Sequence, residues 1–134
     1  MLFDLSFMPD LAQEERQRAV KELDLRSLAH LGDAVFELYE RQRQILEQST
    51  VRKLHDKVVG RVNSKEQARL LLALKPHLTE EENDIVRRAR NLKAGIRRNV
   101  EQATLRQATA FEALIGFLYL TDETRLRLLL DMTT

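Results

Sequence analysis

At 134 residues the chain can bury one core but is too short for a catalytic domain with an appended binding domain, so residues 1–134 are expected to work as one unit. With no cysteine and three scattered histidines, disulfides and thiolate sites are excluded, zinc fits poorly, and any metal is expected on oxygen ligands. The net charge of +1 hides an asymmetry, because residues 51–106 carry +7 between segments of −4 and −2, which suits a polyanion partner if the basic residues share a surface.

Few glycines and prolines and no period-two runs predict an all-α fold. Residues 1–10, with Pro9, read as an extended lead-in, and Asp10 is placed to cap a helix over 11–23. The organising helix comes next, from near Asp24 or Ser27 to near Gln48, around the stretch LAHLGDAVFELYER at 28–41. On a helical wheel Leu28, Leu31, Val35, Leu38 and Tyr39 share one side, extended by Ile45 and Leu46, while Asp33, Glu37 and Glu40 form an acidic face opposite. Gly32 inside this helix costs roughly 0.5 to 1 kcal/mol relative to alanine, which close approach of another backbone, or of a ligand beside Asp33, would offset.

A third helix starts after Ser49-Thr50, with Val51, Leu54, Val58 and Val62 expected inward, Arg52, Lys53 and Lys57 outward, and Gly60 stopping or bending it. Asn63 or Ser64 caps the next, SKEQARLLLALK, which assigns Ala68, Leu71, Leu72 and Leu74 to the core and ends at Pro76. Thr79-Glu80-Glu81-Glu82 is a capping box. The helix it opens ends in a basic cluster of Arg87, Arg88, Arg90, Lys93, Arg97 and Arg98 around Asn91 and Gly95. Complementing the helix dipole is one account of that charge; the cluster is larger than this requires, and phosphate binding by arginine forks is the other account.

The penultimate helix, 104–120, carries Glu112 as the one charge within ATAFEALIGFLYL. The apolar run 108–120 is too short to span a bilayer, so a soluble, cytoplasmic protein without membrane association is expected. Burying an ionised Glu112 costs several kcal/mol unless it is paired, either in a salt bridge to an arginine or as a metal ligand facing Asp33. Ala29 and Gly32 near Asp33, and Ala108 and Gly116 near Glu112, would let the two helices approach closely. A last helix over 122–132 contributes Leu126, Leu129 and Leu130.

Four stretches in this order, LAHLGDAVFELYER, VNSKEQARLL, RARNLKAG and TAFEALIGFLYL, resemble the ribonuclease III family, and within it the Mini-ribonuclease III group that lacks a double-stranded RNA-binding domain. The resemblance covers most of residues 25–120 and implies an all-α ribonuclease III-like endonuclease domain of about six to seven helices. It implies a metal-dependent endoribonuclease acting on double-stranded or structured RNA in maturation of the large-subunit (23S) ribosomal RNA precursor, with Asp33 and Glu112 as catalytic and metal-binding carboxylates. Mg²⁺ is the implied cofactor, and Mn²⁺ can substitute. Arg88, Arg90, Asn91, Lys93 and Lys65 are the implied RNA-binding residues. The resemblance also implies a second copy of the chain as partner, with His30 and Phe36 expected at the dimer contact, and a ribosomal protein as a further candidate. The sequence departs from the wider family at Ala29 and Thr109, where other members carry acids, and at Arg26, where full-length members carry glutamate; the Mini group looks similar at these positions, so the departures point to that group. The rival readings are a non-catalytic RNA-binding or ribosome-assembly module and a helical protein-interaction module.

Overall fold

Helix boundaries follow the capping side chains. In the computed structural model, which describes residues 12–92 and 99–134, α1 (Gln13–Lys21) is followed by α2 (Leu25–Ile45), where the Asp24 carboxylate accepts from the Arg26 amide at 3.3 Å. The Asp10 cap, Lys93, Gly95, Arg97 and Arg98 lie outside the described residues. Thr50 caps α3 (Val51–Val62), accepting from the Lys53 amide, and Asn63 caps α4 (Ser64–Leu74), accepting from the Glu66 amide. Gly60 does not stop α3, which runs two residues past it and ends where Asn63 begins the next helix. A 3₁₀ turn (Lys75–His77) holds Pro76. The capping box then opens α5 (Glu80–Arg90): the Glu82 amide donates to Thr79 Oγ1 at 3.1 Å, and the Thr79 amide donates to Glu82 Oε1 at 2.9 Å. Next come α6 (Asn99–Thr121), which starts five residues earlier than expected, and α7 (Glu123–Asp131), capped by Asp122. The described residues contain no strand.

The axis of the fold is α6, with α1, α2, α4, α5 and α7 packed around it. Its Ala110, Phe111 and Ala113 are fully buried, and the Phe111 ring meets Phe36 of α2 edge-on at 5.0 Å. Leu126, Leu129 and Leu130 close the core from α7, as the sequence predicts. Burial of Glu82 opposes its ionisation, but Arg125 of α7 grips it with bonds of 2.8 and 2.9 Å and, with the Thr79 cap, holds its carboxyl below the usual carboxylate range.

Several expectations about facing are corrected. Phe36, assigned to the dimer contact, is fully enclosed in its own chain's core and has no surface to offer a second subunit. Glu40, assigned to a solvated face, is also fully buried, while Leu38, Ile45 and Leu46 of the supposed apolar stripe are exposed. Because α2 is covered on one side by α6 and on another by α3, its buried arc is wider than one stripe and turned away from the wheel's reading. Arg43 and Arg61 hold the Glu40 carboxylate at 2.7 and 3.2 Å, so the buried charge is paired. Val51 is exposed at the first turn of α3, and Leu72 is exposed because α4 turns Gln67, Leu70, Leu71 and Leu74 inward, a series spaced i, i+3, i+4, i+7.

Candidate active site

The site begins where α2 and α6 cross. A Cβ on Gly32 would lie 1.7 Å from the Glu112 carbonyl oxygen, and one on Gly116 would lie 2.0 Å from that of Leu28, so only glycine lets these backbones meet. That reciprocal contact is the reason for the unfavourable mid-helix glycine, and it sets Asp33, next to Gly32, against Glu112, one turn before Gly116.

The two carboxyls lie close enough to interact directly. Burial, followed by the hydrogen bond and negative charge of Asp33, pushes the Glu112 carboxyl up to about 8, while the Gln67 amide of α4 opposes the shift. Near neutral pH Glu112 therefore tends to keep its proton, as a half-buried carboxyl beside a second one does without a cation between them. Glu112 forms no ion pair with an arginine among the described residues, which removes the salt-bridge account of its burial there. Hard oxygen donors converging this way fit a divalent cation. The described residues hold no cluster of three or more potential ligands, so water and substrate phosphates would complete the shell, as suits Mg²⁺.

A cavity of about 420 Å³ opens over the pair. On α2 its wall is Arg26, Ala29, His30 and Asp33, spaced i, i+3, i+4, i+7; on α6 it is Leu105, Arg106, Thr109 and Glu112; Ala89 and Leu92 close it from the end of α5. Ala29 and Thr109, where the resembled family carries further acids, thus face the same space as the two acids that remain. The structure brings Asp33, Glu112 and His30 together. Arg88 and Asn91 are exposed and Arg90 half-buried at the α5 end beside the cavity, without lining it; Lys65 is exposed on the first turn of α4. Arg88 lies 3.7 Å from Asp84. Sequence reasoning missed Arg26, Arg106 and Gln67. The stripe spacing through Asp33 was a signal for Arg26, whereas Arg106 and Gln67 are placed by helix packing alone.

Residues 26–123, a span containing both crossing helices, match the profile of the ribonuclease III domain. The chain is 45% identical over 113 residues to Mini-ribonuclease 3 of Gloeobacter violaceus, covering 84% of each chain. It is 42% identical over 109 residues to that of a Thermoanaerobacter species, covering 79% of this chain and 77% of the relative. The crystal structure of a Fusobacterium nucleatum protein superposes with a TM-score of 0.76 at 29% identity, covering 83% of this chain and 93% of that one. With its LGD and FEAL acids set face to face at the helix crossing, this chain belongs to the ribonuclease III family, among the Mini-ribonuclease 3 proteins.

Proposed function

We propose that this ribonuclease III-type endoribonuclease is Mg²⁺-dependent, cuts double-stranded or structured RNA in the large-subunit ribosomal RNA precursor, and works as a homodimer. The observation that carries the reading is the convergence of Asp33 and Glu112 where α2 and α6 meet at Gly32 and Gly116, under an open cavity. These carboxylates would hold the cation, which when bound supplies a Lewis acid at the scissile phosphate and makes an attacking water more acidic. Arg26 and Arg106 put positive charge in the same cavity, suited to orienting a phosphodiester against the carboxylates. Arg88, Arg90, Asn91, Lys93 and Lys65 extend the contact along the RNA backbone, where A-form geometry and 2′-hydroxyls, rather than base edges, select a duplex. His30, exposed on the cavity rim, is the dimer contact, so that two sites serve the two strands. A ribosomal protein is a candidate for presenting the precursor.

The test is duplex RNA incubated with the full chain in Mg²⁺, Mn²⁺, Ca²⁺ or EDTA and read on a denaturing gel. Scission in Mg²⁺ and Mn²⁺, none in EDTA and binding without turnover in Ca²⁺ is the expected pattern; tight binding with no scission in Mg²⁺ or Mn²⁺ would point to a non-catalytic RNA-binding module.

If the α5 end contacts phosphates, Arg88→Ala and Arg90→Ala should weaken binding to duplexes of any sequence. Each lost contact should also lower the log-log salt slope by about 0.9, by analogy with duplex DNA. Unchanged slopes would make these arginines structural, Arg88 serving Asp84.

A further inference from the structure

On the inner face of α4, Leu70, Leu71 and Leu74 are at most 3% exposed, and Gln67 sits among them at 2%. A buried amide is costly unless its polar atoms are bonded, yet Gln67 Nε2 has no partner in hydrogen-bond geometry among the described residues. Here α4 packs on α6, and the Gln67 amide lies within reach of the Glu112 carboxyl.

We propose that Gln67 is a positioning residue for the reaction, its Nε2 amide donating to the Glu112 carboxylate and holding it in the orientation that serves the divalent cation. This rests on the reading of Asp33 and Glu112 as the metal-holding pair. The donor is mounted rigidly. Arg61 bonds Glu66, the residue before Gln67, at 3.1 Å and Glu40 of α2 at 3.2 Å, and donates to the Thr133 carbonyl at 2.7 Å, so the first turn of α4 is tied to α2 and to the end of the chain. Groups that orient metal ligands in this way typically affect metal affinity or activity by about 10- to 100-fold.

A packing role and a positioning role predict opposite couplings of stability and activity. Gln67→Leu removes an unsatisfied buried donor, so its melting temperature should equal or exceed that of the wild type. Its duplex RNA affinity in Ca²⁺ should be unchanged. Mn²⁺ affinity of the RNA-free protein, read by electron paramagnetic resonance, should fall about tenfold, and kcat should fall about 10- to 100-fold at constant KM. Wild-type Mn²⁺ affinity and kcat in Gln67→Leu would overturn the proposal. If Gln67→Leu does not fold, Gln67→Met, which keeps the length and loses the donor, is read against the same two outcomes. Asp33→Asn separates the underlying reading: if it binds Mn²⁺ as the wild type does, the metal-site reading fails and this inference with it; if it loses Mn²⁺ while Gln67→Leu does not, only the role of Gln67 fails.

Discussion

Asp33→Asn and Glu112→Gln should each reduce RNA cleavage to background while leaving a folded protein, and Glu112→Gln should be more stable than the wild type in metal-free buffer at alkaline pH. Each change removes a charge from the metal-holding pair at constant shape. The stability effect follows from the raised Glu112 pKa, about 8 in the folded chain against an ordinary value of 4.5. Between those values the unfolded chain has released a proton that the folded chain retains, so folding stability falls as pH rises, and the loss is complete once pH passes about 8. A glutamine at 112 does not titrate. The stability difference between variant and wild type in EDTA should therefore be near zero around pH 4 and grow in favour of the variant up to pH 8, as urea titrations measure. His30, Arg26 and Arg106 also face this cavity, and Asp33 acts on Glu112 directly, so its coupling is part of the difference that is read. Mg²⁺ competes with the proton and should restore the wild type most strongly at pH 8. A Glu112→Gln protein that still cuts RNA and is less stable at every pH would return Glu112 to a purely structural role.

What the sequence disclosed well was local or carried by spacing. The Thr79-Glu82 box, the Asn63 cap and the buried leucines of α7 formed as read, and α2 and α3 start where the sequence placed them, near Asp24 and after Thr50. The paired small residues around Asp33 and Glu112 foretold the close helix crossing, because a glycine within a helix needs a tertiary reason. Facing went wrong where one helix touches two others. A single-stripe wheel has no place for Glu40, whose burial depends on Arg61 arriving from α3, or for Phe36, whose neighbour Phe111 is 75 residues away in the chain. Gln67 shows the same limit: its helix was read correctly, but the carboxyl beside its amide belongs to α6.

Gly32→Ala and Gly116→Ala should be the most damaging of the small substitutions, losing stability and cleavage together. Each new methyl would sit within 2.0 Å of a carbonyl oxygen on the facing helix, and neither backbone can yield by changing a rotamer. Overpacking usually costs about 1 to 3 kcal/mol when side chains can adjust; here whole helices must separate, so roughly 3 kcal/mol or more is expected, a large share of a typical 5 to 15 kcal/mol. Molecules that stay folded would have Asp33 and Glu112 displaced, and a shift of about 1 Å can cost on the order of 10²-fold in rate. Gly60 supplies the control. A methyl there meets open space within α3, so Gly60→Ala should stabilise by about 0.5 to 1 kcal/mol and leave cleavage intact. The double variant Gly32→Ala/Gly116→Ala should cost less than the sum of its parts, since the first methyl already opens the gap the second needs. Urea midpoints with parallel cleavage assays test the whole set. A Gly116→Ala protein with wild-type midpoint and activity would show that something other than the glycine crossing sets the spacing of α2 and α6, and with it the spacing of the two acids.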